Sequence, residues 1–176
     1  MTSTIFTVGH STHPIDEFVE LLRAHGVEQI VDIRTIAKSR HNPQFWEDAL
    51  RESLPANGIA YQRLEALGGL RPTSKDSPNG EWKNKSFRGY ADYMQTDAFA
   101  AGLDELLVLA ERTPTAIMCA EAVPWRCHRS LVGDALLVRD VEVLDIVTPK
   151  SAKPHKLTSF AHVEGTTITY PPEAGE

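Results

Sequence analysis

The sequence lacks any apolar run long enough to cross a bilayer, which takes about 20 consecutive apolar residues. Its first residues, MTSTIFTVGHS, contain no basic segment followed by an apolar one, the pattern of a secretory signal peptide. Only two cysteines occur in 176 residues, too few for a disulfide scaffold. These absences predict a cytoplasmic protein with no membrane partner.

An excess of positive charge is also absent, because 24 acidic residues outnumber 18 lysines and arginines and leave a formal net charge of −6. This balance argues against a broad, unspecific affinity for nucleic acid, although it is compatible with a local basic site. Internal repeats and low-complexity tracts are missing as well. The length and the 41% of hydrophobic residues suit one domain with a proper core.

What the sequence does contain is an alternation of strand and helix patterns. Five apolar stretches predict strands at residues 4–9, 28–34, 58–64, 115–120 and 141–147. Between them lie four stripes at helical spacing: Ile15, Phe18, Val19 and Leu22; Phe45, Ala49, Leu50 and Leu54; Leu103, Leu106, Leu107 and Ala110; and Leu131, Ala135 and Val138. This alternation forms βαβ units, so we predict a single three-layer α/β domain, Rossmann-like, with a mostly parallel sheet flanked by helices.

Two segments lie outside this alternation. Residues 71–89 are rich in proline, glycine, serine, asparagine and basic residues, which predicts a long, mobile basic loop within the α/β domain at 1–148. Residues 149–176 form a polar C-terminal extension, and the stretch around Gly165 is typical of a small hairpin or edge strand. We expect this extension to pack on the same domain.

Polar and ionisable residues directly follow four of the predicted strands. Ligands of an open parallel sheet bind beyond the carboxyl ends of its strands, so a functional site is expected at this edge. The loops at the opposite edge are plainer. The residues at the four strand exits are Gly9, His10 and Ser11; Asp32 and Arg34; Gly68, Gly69 and Arg71; and Cys119, Glu121, Arg126, Cys127, His128 and Arg129.

Cys119 has more than one interpretation. A free cysteine at a strand end is often a small buried apolar residue. Here, basic residues stand in the following loop near a predicted helix N-terminus, and such charges and amides lower the pKa of a thiol. Cys119 is therefore a candidate nucleophile, with Cys127 as a packing or capping residue. A reversible disulfide between the two is a further interpretation.

Two familiar kinds of site fit this loop poorly. In phosphatase and rhodanese loops an arginine returns at a shorter spacing from the cysteine, and glycine lets the backbone wrap an oxyanion. Here six residues separate Cys119 from Arg126, no glycine intervenes, and Glu121 would repel a phosphate. Zinc-ligand residue types are present, but there is no C-x-x-C pair and no two-histidine helical spacing. No metal is predicted.

The polar residues after the first two strands also allow structural interpretations. His10 is either a satisfied histidine bonded to the backbone or, with Ser11, part of an anion site of amides and hydroxyls. Asp32 and Arg34 either pair with each other, or Asp32 positions His10 while Arg34 clamps an anionic substrate. The sequence leaves both choices open.

Five blocks of the sequence, in order, resemble the motifs of the domain of unknown function 488 family, whose members are small α/β proteins of bacteria and archaea. The blocks are TVGHST, VDIR, LGGLRP, FRGYADYM and MCAEAVPWRCHR, and the resemblance runs from Ile5 to Ile146 and into FAHVEGTTITYPP. A local departure is DIRTIAKSR, where a proline is expected soon after the arginine. The resemblance implies a fold and a site but no reaction. The positions it implies as recurrent are Gly9, His10, Ser11, Asp32, Arg34, Gly68, Gly69, Tyr90, Cys119, Glu121, Cys127, His128 and Arg129.

Our first functional hypothesis is an enzyme that acts on a small anionic substrate, phosphorylated or nucleotide-like. Ionisable groups of differing type cluster at catalytic clefts, as they do at these strand exits. No cofactor and no oligomeric state can be specified from the sequence. The candidate catalytic residues are Cys119 as nucleophile, His10 as general base, Glu121 as proton relay, and Asp32. The candidate substrate-binding residues are Gly9, Ser11, Arg34, Gly69, Tyr90, Cys127, His128 and Arg129.

Two further hypotheses come from other classes of protein. One is a nucleotide or nucleic-acid binding module that uses the 71–89 loop, where lysines and arginines are interleaved with aromatic residues that either pack under the loop or stack on bases. The other is a thiol redox sensor that works through Cys119 and Cys127. The aromatic residues concerned are Trp82, Phe87, Tyr90 and Tyr93.

Overall fold

A computed structural model describes residues 4–35, 37, 41–69, 71–121 and 127–172. Two single-turn 3-10 helices occur at Pro43–Phe45 and Glu65–Leu67. The strands are β1 (Thr4–Gly9), β2 (Gln29–Asp32), β3 (Ala60–Arg63), β4 (Thr115–Cys119), β5 (Glu142–Thr148), β6 (Ser151–Pro154), β7 (His162–Glu164) and β8 (Thr167–Thr169). The α-helices are α1 (Ile15–Ala24), α2 (Glu47–Ala56), α3 (Lys85–Tyr93), α4 (Asp97–Arg112) and α5 (Arg129–Leu137).

Six strands form one sheet in the order β3-β2-β4-β1-β5-β6. The first five strands of the chain pair in parallel, and β6 pairs antiparallel with β5 at one edge. Every residue of β4 is buried, which explains why TAIMC lacks polar alternation: this strand lies between two others and is covered on both faces. The predicted α/β fold with a mostly parallel sheet is confirmed.

Helices cover both faces of the sheet and make its three layers. Side chains of a strand point alternately to opposite faces, so Ile117 of β4 packs with α4 and α5, whereas Met118 packs with α1 and α2. Leu106 and Leu131 belong to the first of these cores, and Phe18 belongs to the second. The four predicted helical stripes each contribute buried residues to one of these two cores.

The path of the chain around β4 opens a crevice at the carboxyl edge of the sheet. β4 lies between β1 and β2. The chain leaves those two strands toward α1 and α2 on one face, but it leaves β4 toward α5 on the other. Connections that depart to opposite faces leave a crevice between the strand ends, which is where open α/β sheets bind ligands.

The segment predicted as a loop over residues 71–89 differs in the structure, because α3 begins at Lys85. The Asn84 side chain accepts hydrogen bonds from the backbone N–H groups of Ser86 and Phe87 at 2.8 and 3.3 Å and so caps this helix. The remaining part of the segment is tied to α3: Asp92 accepts from the Ser74 N–H at 2.8 Å, and from the Ser77 hydroxyl. A capping asparagine within a polar, glycine-rich stretch is hard to distinguish from a turn residue.

The C-terminal extension contacts the domain through β6 and through a fully buried tyrosine. The backbone N–H of Tyr170 donates to the side-chain oxygen of Asn79 at 2.8 Å and so joins the extension to the 71–84 segment. β7 and β8 form a two-stranded hairpin whose turn contains Gly165 at φ +64°, a conformation that favours glycine. Sequence analysis missed β6, because SAKP shows no apolar alternation. No helix among the described residues is long and apolar enough to cross a membrane.

Candidate functional site

A cleft of about 280 Å³ lies at this crevice, between the ends of β2 and β4 and the N-termini of α3 and α5. The residues of the sequence-predicted site that line it are Arg34, Gly69, Tyr90, Cys119, Glu121, Cys127 and His128. Four other lining residues, Thr35, Ser86, Phe87 and Ala120, were not predicted as site residues. Of these, Phe87 and Ala120 lie in quoted motif blocks, FRGYADYM and MCAEAVPWRCHR.

Asp32 and Arg34 form a buried pair at the end of β2. One Asp32 oxygen accepts the Nε–H of Arg34 at 2.9 Å, and the other accepts from Arg34 Nη2 at 2.7 Å, a bidentate arrangement. The Tyr61 hydroxyl also donates to Asp32. Both residues of the pair are at most 5% exposed. The aspartate therefore fixes the guanidinium at the cleft wall. The pairing interpretation is confirmed, and binding of an anionic substrate by Arg34 stays a prediction.

His10 lies behind Arg34, outside the residues that line the cleft. Its Nδ1–H donates to the Ser11 carbonyl at 2.8 Å, so Nε2 is left to accept from Arg34 Nη1 at 3.3 Å. The ring stacks on Phe45 with centroids 4.3 Å apart. Burial, together with the neighbouring guanidinium, lowers the pKa of His10 to about 4. His10 is thus neutral and has both ring nitrogens engaged, an arrangement that suits positioning of Arg34.

Cys119 and Cys127 are free, buried thiols at the floor of the same cleft. The thiol of Cys119 donates to the Glu121 carbonyl at 3.6 Å. Burial opposes its ionisation, but a hydrogen bond from Cys127 and the positive charge of Arg129 outweigh burial and lower the pKa of Cys119. Donation to Cys119, together with burial, raises the pKa of Cys127. Of the two sulfurs, Cys119 is the one poised to become a thiolate.

His128 forms the wall of the cleft opposite Gly69. Its Nε2–H donates to the Ile33 carbonyl at 2.9 Å, and Nδ1 lies 3.5 Å from the sulfur of Cys127. A Cβ atom at Gly69 would stand 3.1 Å from this Nδ1, so the close approach favours glycine. Burial lowers the pKa of His128 to about 4, which keeps the ring neutral.

Arg129 carries a buried positive charge beneath the cleft. It is 1% exposed, and it donates from Nη1 to the Thr7 hydroxyl and from Nη2 to the Glu121 carbonyl, each at 3.3 Å. The cation thus contacts the Glu121 carbonyl, which also accepts the hydrogen bond of the Cys119 thiol. Sequence analysis placed Arg129 in the site as an anion-binding residue. The structure places it under the floor, where it acts on Cys119 rather than facing the cleft.

The remaining predicted residues supply backbone groups or, in the case of Tyr90, an aromatic ring. Gly9 pairs in register with Cys119, and the N–H groups of His10 and Ser11 donate to the carbonyls of Cys119 and Ala120, each at 2.9 Å. The Tyr90 hydroxyl donates to the Leu67 carbonyl at 2.8 Å, so its ring rather than its oxygen contributes to the cleft. Arg126 falls outside the described residues.

The aromatic residues near the 71–84 segment pack mainly against one another. The Trp82 ring contacts Phe87, Phe160 and Tyr170 at centroid distances of 5.1, 4.9 and 5.5 Å. Arg71 lies 3.9 Å above the ring of Tyr93. Packing of these rings is confirmed, and their stacking on bases stays a prediction. Within the described ranges, no three histidine, cysteine, aspartate or glutamate residues are grouped to hold a metal ion.

A family model described as Domain of unknown function DUF488 matches residues 14–136, more than half of the chain. The chain belongs to this family. The DUF488 match covers Asp32, Arg34 and the residues that line the cleft, but it excludes His10 and everything after α5. No curated protein and no solved structure matches the chain. The resemblance stated from the motifs is confirmed, over a shorter range than Ile5 to Ile146.

Proposed function

We propose that this protein is an enzyme that binds a small anionic substrate in the cleft and uses the Cys119 thiolate as its nucleophile. The observation that carries the proposal is the position of this thiol. It lies at the floor of a cleft at the switch point of the sheet, next to a thiol donor and a buried cation that favour its ionised form. We place the activity in the cytoplasm, where both thiols would stay reduced.

The anionic character of the substrate is inferred from the cleft walls. Arg34 uses three of a guanidinium's five N–H donors on Asp32 and His10, which leaves it capacity to bind an anion. The N-termini of α3 and α5 border the same space, through Ser86 and His128, and add their partial positive charges. The volume suits a small ligand, so phosphorylated or nucleotide-like fragments are the first compounds to screen.

The proposed step is an acyl transfer, in which the nucleophile substitutes the leaving group at a carbonyl carbon of the anionic substrate. The Cys119 thiol loses its proton to the Glu121 carboxylate, and the sulfur–carbon bond forms while the bond from carbon to the leaving group breaks. The leaving group takes the proton from Glu121, and water then hydrolyses the thioester and restores the thiol. Glu121 is exposed beside Cys119 at the cleft, where a proton relay is required.

The test is the alkylation rate of each cysteine against pH, measured by peptide mass spectrometry with and without inorganic phosphate. We expect Cys119 to react with a midpoint below about 8.5, the reference value for a thiol. Phosphate should slow the reaction because it occupies the cleft. Cys119→Ser should abolish turnover of any substrate found while leaving its binding intact, and Cys127→Ser is the matched control that retains the nucleophile. A Cys119 that is inert up to pH 10 would refute the proposal.

A thiol redox sensor is the second candidate, and it is favoured by the hydrogen bond between Cys119 and Cys127. Hydrogen peroxide would oxidise the two thiols to one disulfide and be reduced to two molecules of water. The same peptide analysis after peroxide treatment would then find the two cysteine peptides linked. Independent sulfinic acids without a linked peptide would argue against it.

A further inference from the structure

A chain of buried hydrogen bonds runs from the C-terminal extension to the cation beneath the cleft. Thr7, at the centre of β1, pairs in register with Asp145 of β5, and its hydroxyl donates to Asp145 at 2.5 Å. The hydroxyl has a single proton, so only its lone pairs are left for Arg129, whose Nη1 donates to it at 3.3 Å. Because the hydroxyl proton points to Asp145, the Thr7 oxygen presents its lone pairs to Arg129.

Asp145 is held in turn by His155 of the extension. The Nδ1–H of His155 donates to Asp145 at 3.0 Å, and its Nε2–H donates to Asp134 at 3.1 Å. An imidazole that donates from both nitrogens to carboxylates is a cation. The His155 cation thus lies between two carboxylates, which offset the cost of burying its charge.

At its other end Arg129 reaches the backbone beside the thiol. Its Nη2 donates to the Glu121 carbonyl at 3.3 Å, the same oxygen to which the Cys119 thiol donates at 3.6 Å. The guanidinium is thus held between Thr7 on one side and the Cys119 loop on the other. A cation in a dry interior acts on a neighbouring thiol more strongly than one in water, and its effect falls as the distance between them grows.

We infer that Thr7 is a positioning residue: together with Asp145 it holds Arg129 beneath Cys119 and so maintains the thiol in its reactive state. The inference rests on the proposed role of Cys119 as nucleophile. It assigns a function to residues outside the DUF488 match, since Thr7 precedes residue 14 and Asp145 follows residue 136. None of these side chains lines the cleft, so their effect is transmitted through Arg129.

The test compares Thr7→Val, which keeps the shape but removes the hydroxyl, with Thr7→Ser, which restores it. We expect Thr7→Val to raise the midpoint of Cys119 alkylation by about half to one pH unit, or about three- to tenfold less thiolate below that midpoint. Thr7→Ser should return the midpoint to that of the wild type. A midpoint that is unchanged or lower in Thr7→Val would overturn the inference.

The matched control is Thr115→Val on the neighbouring strand β4. Thr115 is equally buried, and its hydroxyl also takes part in two hydrogen bonds. It donates to the Thr113 carbonyl at 2.7 Å and accepts from the Gln29 side chain at 2.9 Å. It should lower stability without moving the Cys119 midpoint, and an equal shift there would assign the effect to general loosening.

A second variant allows the inference to be tested even if the first does not fold, and the alkylation measurement requires no substrate. If Thr7→Val does not fold, Asp145→Asn weakens the same acceptor with little change of shape, and an unchanged midpoint there would also overturn the inference. Because alkylation needs no substrate, the result is separate from the proposed function. The protein could lack the activity and still show the Thr7 effect.

Discussion

Two histidines of this protein, His128 at the cleft and His155 in the extension, differ in charge, since the first is neutral and the second is a cation. Burial lowers the pKa of His128 to about 4, and hydrogen bonds to neutral backbone carbonyls, which favour the protonated ring, do not offset it. Burial also opposes the charge on His155, but hydrogen bonds to Asp134 and Asp145 outweigh it and raise the pKa to about 9. An imidazole in a dry interior is neutral unless carboxylates face it.

The same contrast separates the two regions around these rings. Around His155 every strong acceptor is in use: Asp134 accepts from His155, the Tyr170 hydroxyl, and both the N–H and the hydroxyl of Thr158. Hydrogen bonds of this kind hold the C-terminal extension on the domain. Around His128 the groups line an open cleft, and the Arg34 guanidinium in its wall keeps N–H donors beyond those that bind Asp32 and His10. The region whose donors are not all in use is therefore the one suited to receive a charged ligand.

The largest expected effect is a loss of stability on removal of one carboxylate charge from the hydrogen-bonded region around His155. Asp134→Asn leaves the shape nearly unchanged but gives the His155 cation one carboxylate instead of two, and replaces an acceptor oxygen by an N–H₂ donor. We expect the free energy of unfolding to fall by about 3–5 kcal/mol, the usual cost of breaking a buried charge pair. Denaturant titration measures it. Asp140→Asn, exposed after α5, is the matched control and should change stability by less than about 0.5 kcal/mol.

The second effect is a loss of stability in alkali. His155 binds its proton more tightly in the folded protein than in the unfolded chain, so its contribution is complete below pH 6.5 and is lost as the pH rises through about 9. We expect a loss on the order of 3 kcal/mol over this window, since its side chain is only 7% exposed. His155→Gln should flatten the profile of unfolding free energy against pH. A profile as steep as that of the wild type would show that His155 is neutral.

The smallest effect is the mirror image in acid. The unfolded chain takes up a proton at His128 near pH 6.5, whereas the folded ring stays neutral down to about 4, so acidification favours unfolding. Because the ring is partly exposed at the cleft, we expect about 1–2 kcal/mol between pH 6.5 and 4. His128→Gln should make the acid side of the profile shallower. His162→Gln, on the exposed hairpin, controls for the loss of an imidazole as such and should not.

The fold and the position of the site could largely be predicted from the sequence, because both depend on local pattern. Residues after four predicted strands indicated the carboxyl edge of the sheet, and the structure has a cleft there. The roles of the individual residues at this edge could not be predicted in the same way. Nothing in the spacing of His10, Arg34 and Arg129 shows that the first supports the second from behind, or that the third lies under the floor.

The polar chain that ends in His155 gave no usable signal in the sequence. Thr7, Asp134 and Asp145 come from three different elements, His155 directly follows β6, and each is an ordinary residue in its own segment. Asp145 lies within an apolar strand pattern, where one polar residue does not disturb the interpretation. The helix at Lys85 was missed for a related reason, since the composition of 71–89 outweighed a short helical stripe.

The sequence by itself determined the alternation of strands and helices, the family, and the edge at which reactive side chains gather. The apolar period of a strand or helix and the sharp turns between them are properties of neighbouring residues, so a linear reading recovers them. Only the tertiary structure decided which buried groups are charged. The pKa of a thiol or an imidazole depends on burial and on the charges within a few ångströms of it, and parallel pairing brings those neighbours from strands that are far apart in the chain.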